Sequence, residues 1–172
     1  MEVMKIEKSS TVTKLTCSGI LIALSYVGSL LGLIIPGSLA FDSMPAFFGA
    51  MILGPIYGAA IGGVGHLLTA LINSFPLTLP LHLFIGVQMA LIVGVFAWVY
   101  QREKKVIAGV LATILNGPVS AAASAVVAFA LGLPFSGWVM FSTLVIPLTI
   151  VSFLNVSLAL VLGDIIRKRS VR

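Results

Sequence analysis

Arg102-Glu103-Lys104-Lys105 is a short charged run in the middle of a chain that is otherwise almost uncharged, and its reading decides the fold. Working outward, residues 15–101 before it contain one charged residue, Asp42, and residues 106–166 after it contain one, Asp164. The other basic residues close the two ends: Lys5, Lys8 and Lys14 at the start, and Arg167, Lys168, Arg169 and Arg172 at the finish. Long apolar blocks bounded by basic clusters identify an integral membrane protein. A helix needs about 20 apolar residues to cross a bilayer, and basic segments stay on the cytoplasmic side. If all three clusters are cytoplasmic, each block holds an even number of crossings, and the block lengths suit four and then two. The expectation is an all-α integral membrane protein: a compact bundle of six transmembrane helices, both termini cytoplasmic, forming a single domain over residues 1–172.

Composition agrees. A hydrophobic fraction of 59%, a charged fraction of 9% and a mean hydropathy of +1.18 exclude a soluble domain. The pI of about 9.7 does not indicate nucleic-acid binding, because the basic residues sit where helices end and anchor against anionic lipid. Cys17 is the single cysteine, which excludes a disulfide framework and a thiolate metal site. The polar N-terminal segment lacks a small-residue cleavage site, so no cleaved signal peptide is expected.

Pro and Gly punctuate the spans, placing helices near 15–35, 42–54, 56–73, 80–100, 106–132 and 139–166. Pro36-Gly37 ends the first, Asp42 or Ser43 caps the second with Pro45 in its first turn, and Gly54-Pro55 turns into the third. The second helix is too short to cross alone, so it must tilt or sit behind its neighbours. Asn73 to Pro80 forms the outer loop before the fourth helix, and Gly132 to Trp138 forms the last outer loop. Small residues recur at four-residue spacing on the first helix (Gly19 and Ala23, Ser25 and Ser29, Gly28 and Gly32), which allows close helix approach. Gly58, Gly62 and Gly65 repeat the device on the third, where packing inside the bundle is the simpler reading. On the first helix an external partner competes with it.

No catalytic or nucleotide signature is present: no GxxxxGK[ST], HExxH, GxSxG or paired carboxylates. Chemistry must rest on the few polar residues inside the spans. Asn116, Ser120 and Ser124 form a stripe on the fifth helix with Thr113 beside it, and Pro118 frees a backbone carbonyl there. Ser142, Thr149, Ser152 and Asn155 spread over the sixth helix, which carries Pro147. The fourth helix offers His82 near its outer end, Gln88 about two turns deeper, and Met89 on the His82 face. These neutral groups suit a neutral or zwitterionic organic solute, with no metal and no cofactor. Taken singly, each Ser or Thr is expected to bond its own helix backbone. His66, in mid-helix among glycines, reads first as a structural hydrogen-bonder, and Asp42 as a cap with ligand contact as its second role. Trp138 and Tyr100 fall at expected membrane interfaces, and Trp138 is also placed to close over an outward-opening site.

Phe41-Asp42-Ser43-Met44-Pro45 opening a short helix, followed by Leu53-Gly54-Pro55-Ile56-Tyr57-Gly58, resembles the substrate-binding S components of energy-coupling-factor (ECF) vitamin transporters. The resemblance covers the whole chain. The stretch Gly65-His66-Leu67-Leu68-Thr69-Ala70 through Phe75-Pro76-Leu77 to Leu79-Pro80-Leu81-His82 is most similar to the CblT group, linked to α-ribazole, a cobalamin precursor. It implies a high-affinity binding subunit in the bacterial plasma membrane. That subunit takes a vitamin through helices four to six and the first outer loop. It then joins a membrane coupling subunit and two cytoplasmic ATPases, and reorients in the bilayer. The family's Ala-x-x-x-Ala coupling pattern is replaced here by Gly19-x-x-x-Ala23. The candidate contacts are Phe41, Asp42, His82, Gln88, Met89, Asn116, Ser120, Trp138, Ser142, Thr149 and Asn155. Other readings stay open: an S component for riboflavin, pantothenate or pyridoxine; a small intramembrane enzyme using His66, His82 and Asp42, with or without a metal; and a homo-oligomeric channel or scaffold.

Overall fold

A computed structural model describes residues 9–34 and 42–170, so Pro36, Gly37 and Phe41 lie outside the described residues. The chain forms α1 (Thr11–Ile34), α2 (Met44–Leu53), α3 (Pro55–Ile72), α4 (Leu79–Tyr100), α5 (Lys105–Ala130) and α6 (Gly137–Ser170), with no strand among the described residues. All of these except α2 are long and apolar enough to cross a membrane. Several ends extend beyond the apolar runs: Lys14 lies in α1 and Lys168 in α6. Lys and Arg are good helix formers, and their long stems let the charge reach water while the backbone stays helical.

The 10-residue α2 answers the mismatch problem by hiding. Pro45, Ala46, Phe47, Gly49, Ala50, Met51, Ile52 and Leu53 are all buried, against α1, α3, α4 and α6. A helix apolar on every side belongs in an interior. Phe47 meets Phe96 of α4 edge to face, with ring centroids 5.1 Å apart. Gly54 then reverses the chain at φ +97°, a conformation that a side chain would strain, and Pro55 starts α3. The two helices cross where Gly58 rides on Ala50. Gly62 faces Met89 and Val93 of α4, and Gly65 faces Ser25 of α1. The α3 glycines therefore serve packing inside the bundle.

The start of α2 corrects the expected cap. Ser43 occupies the cap position, but it has helical backbone angles and makes no capping bond through its side chain. Instead the Met44 N–H donates to Asn155 Oδ1 of α6 at 2.8 Å. Pro45 has no N–H to satisfy, and the N–H groups of Ala46 and Phe47 both donate to the Ser43 carbonyl. A side chain from a distant helix thus satisfies one of the donors that a helix start leaves open.

This bond also fixes depth. At 1.5 Å per residue, Asn155 lies about 27 Å along α6 from Gly137 and about 16 Å from Ile166. From there α2 runs alongside α6, and Met51 reaches Gly163. So α2 begins deep within the bundle and spans only the half that ends at the basic clusters. That end is joined by the Lys105–Asp164 ion pair between α5 and α6 and by Lys14 of α1 over the Tyr57 ring of α3, and Arg102 covers Trp98 at the end of α4.

Two apolar clusters divide the interior. One surrounds α2 and includes Phe47, Ile61, Met89, Val93 and Phe96. The other, toward the opposite end, contains Leu81, Ala125, Ala128 and Met140. Ile85 packs against both. The space between them is the cavity.

Candidate functional site

A π-helical turn at Leu115–Val119 interrupts α5, with Pro118 inside it. A proline cannot supply the N–H that an α-helix needs there, and the wider turn absorbs the break. Gly117 in this turn lets α6 approach closely: a β-carbon on it would lie 2.9 Å from the Thr149 Cα. The turn carries Asn116, and Ser120 and Ser124 follow at four-residue steps on the same side.

All three line a cavity of about 230 Å³, with Ala121 beside them. Helix α6 contributes Met140, Leu144, Pro147, Leu148, Val151 and Ser152; α4 contributes His82, Ile85 and Met89; and α3 contributes His66. Leu77 comes from the α3–α4 loop, and Asp42 and Ser43 come from the segment leading into α2. The wall is therefore mostly apolar, with polar groups on α3, α4, α5 and the start of α2 and one, Ser152, on α6. A concave apolar site with a few convergent polar groups is the form that small-molecule sites take.

The hydrogen bonds separate structural polar residues from those left to a ligand. Thr113, Ser142, Thr143 and Thr149 each bond a carbonyl of their own helix, as side chains in spans usually do. In contrast, Ser120 and Ser124 are buried and line the cavity, yet neither hydroxyl bonds a described residue. Asn116 Nδ2 donates to Ser152 Oγ at 3.0 Å, which holds the amide across the α5–α6 seam.

His66 and His82 lie 16 residues apart and meet directly, His66 Nε2 to His82 Nδ1 at 3.1 Å. The loop between them brings this about. Ser74, Phe75 and Thr78 all have positive φ, a left-handed conformation costing on the order of 1–3 kcal/mol for such residues. The loop folds back so that the Leu77 N–H donates to His82 Nε2 at 3.4 Å, with the Phe75 ring 5.9 Å from the imidazole.

Of the expected contacts, Asp42, His82, Met89, Asn116 and Ser120 come together at the cavity. Phe41 lies outside the described residues. The others are elsewhere. Gln88 is absent from the wall, its Oε1 buried without a partner, a feature for which nothing in the structure offers an account. Trp138 is 76% exposed, lies tilted beside Phe141 and is absent from the cavity wall, so it does not close the cavity. Ser142 and Thr149 bond their own helix. Asn155 is wholly buried, accepting from Met44 and donating to the Val151 carbonyl; it positions the start of α2. His66, read first as structural, joins the wall, as do Ser43, Ser124 and Ser152. On α1, Gly19 and Ala23 are exposed, and a β-carbon on Gly19 would meet nothing within 4 Å. No group of three or more His, Cys, Asp or Glu able to hold a metal occurs among the described residues.

Comparison with known proteins gives one family. The family model described as "ECF transporter, substrate-specific component" matches residues 13–166. No curated protein and no solved structure gives a significant match.

Proposed function

The chain belongs to the family of ECF transporter substrate-specific components, and from that premise we propose that it binds α-ribazole, or another cobalamin-related or vitamin-like solute, in the cavity at the start of α2. Members of this family are transporter subunits rather than enzymes; they bind small molecules and work with a coupling module and ATPases. The apolar helices and the family together make this a multi-pass membrane protein. In the proposed arrangement six helices lie in the bacterial cell membrane, with the basic end and both termini cytoplasmic. The solute enters from the opposite side, and the subunit reorients on the coupling module to release it.

One observation carries the site assignment. The Ser120 and Ser124 hydroxyls in the cavity wall lack the own-helix backbone bonds that Thr113, Ser142, Thr143 and Thr149 make. Buried polar groups require partners, and a solute with hydroxyl and amide groups would supply them. The flat ring of α-ribazole would lie against Met89, Ile85, Met140 and Leu148, with its ribose on Asn116, Ser120 and Ser124. Asn116→Ala is expected to weaken solute binding by about 1–3 kcal/mol through one lost buried hydrogen bond. Titration calorimetry checks this, and unchanged affinity would take Asn116 out of the site.

The exposed Gly19–Ala23 face of α1 is the proposed docking surface for the coupling subunit, where small residues permit close helix approach. Gly19→Leu is expected to leave solute affinity unchanged and to lower recovery of the coupling subunit in co-purification by about tenfold, a loss of roughly 1.4 kcal/mol. Undiminished recovery would place the docking surface elsewhere.

A further inference from the structure

Asp42 is the only charged residue between Lys14 and Arg102, and the structure places it, half-buried, in the cavity wall. It lies two residues before Met44, whose N–H is tied to mid-α6, and it lines the cavity. The undescribed residues 35–41, Ile-Pro-Gly-Ser-Leu-Ala-Phe, contain no charged group. The described cations are at the far end, on Tyr57, Trp98 and Asp164 or exposed beyond them. Among the described residues, Lys105–Asp164 is the only ion pair.

The two imidazoles do not neutralise this carboxylate. The Leu77 N–H donates to His82 Nε2, so that nitrogen carries no proton and His82 has its hydrogen on Nδ1. His82 Nδ1–H therefore donates to His66 Nε2, which leaves the His66 proton on Nδ1. Both rings are neutral in this chain of bonds. The wall then holds one formal charge, the Asp42 carboxylate, and one imidazole N–H, His66 Nδ1, with no partner among the described residues.

An ionisable group at this depth is costly unless it meets a partner, and no described cation of the chain lies near enough to be that partner. We infer that Asp42 makes the cavity a charge filter: the cargo carries no net negative charge and seats hydroxyl or N–H donors on this carboxylate. The inference rests on the substrate-binding reading above and narrows it. It admits neutral polyhydroxy or nitrogen-containing solutes and cations, and it rejects phosphorylated and carboxylated relatives.

The test is calorimetry on purified wild type and Asp42→Asn with α-ribazole and α-ribazole 5′-phosphate, which differ only in the charged group. Riboflavin, pyridoxine, thiamin and pantothenate are run alongside. The wild type is expected to prefer the unphosphorylated compound by about 30-fold or more, the effect of like charges several ångströms apart at an effective dielectric of about 20. Asn keeps the shape and removes the charge, so the preference should shrink to a few-fold in Asp42→Asn. Equal wild-type affinity for the two compounds would overturn the filter without needing the variant, as would an undiminished preference in Asp42→Asn. Pantothenate as the sole ligand would overturn the filter while leaving solute binding intact. Silence of the folded wild type toward every compound would overturn the substrate reading and the filter with it.

Discussion

Gly58→Leu is expected to destabilise the folded protein by about 3 kcal/mol or more, at or beyond the upper end of the usual overpacking cost. The position allows no easy relief. A β-carbon there would lie 2.5 Å from the Ala50 Cα and 2.9 Å from its nitrogen, and backbone cannot swing aside as a flexible side chain can. The two helices would have to separate, yet they are joined by the turn at Gly54, and α2 is enclosed by four other helices. Separation would also pull Phe47 away from Phe96 and shift the segment bearing Asp42 and Ser43. The measurement is thermal unfolding in detergent, with Gly19→Leu as the matched control because nothing lies within 4 Å of that position. A large drop for Gly58→Leu beside an unchanged control supports the crossing. Wild-type melting in both would contradict it.

Asn155→Leu is expected to lower both stability and solute affinity. Leucine is close in size, so the main loss is chemical: the Met44 N–H at the buried start of α2 loses its acceptor. An unsatisfied buried donor costs about 1–3 kcal/mol. Asp42 and Ser43 immediately precede Met44, so freeing this end loosens one side of the cavity without altering any atom of its wall. A weaker affinity of about tenfold, together with a lower melting temperature, is the expected signature. Reduced stability with wild-type affinity would show that the start of α2 does not shape the site.

Much of this architecture was legible in the chain because membrane constraints are few and strong. The break at Gly54-Pro55 lies where expected, and the loop expected over Asn73 to Pro80 is shorter, ending at Thr78 because Leu79 and Pro80 open α4. The shortness of the second helix was visible too, and the structure buries it among its neighbours. On α5, four-residue steps carried Asn116, Ser120 and Ser124 to one face despite the π-helical turn between them. Periodicity also explains why Met89, seven residues after His82, shares its cavity while Gln88, six residues after it, does not: at about 100° per residue the first returns to the same face.

Other features left no local trace. The contact of His66 with His82 depends on a loop with three left-handed residues, none of them glycine. The bond from Met44 to Asn155 joins positions far apart in sequence, so Asn155 read as one more polar residue of the sixth helix. On α6 the polar residues Ser142 and Thr149 drew attention, whereas the wall follows an apolar stripe from Met140 through Leu144, Pro147, Leu148 and Val151. Choosing between those faces requires knowing which neighbour each one meets.

The central claim, that the cavity at the start of α2 holds a vitamin-like solute, is tested most directly by a thermal-shift panel. Detergent-purified, ligand-free protein would be heated with α-ribazole and the common water-soluble vitamins in turn. A solute that binds only the folded state raises its stability by about 4 kcal/mol at a thousandfold excess over Kd. The account predicts a large shift with one compound, abolished or reduced in Asn116→Ala. Folded protein whose melting is unmoved by every compound would contradict it.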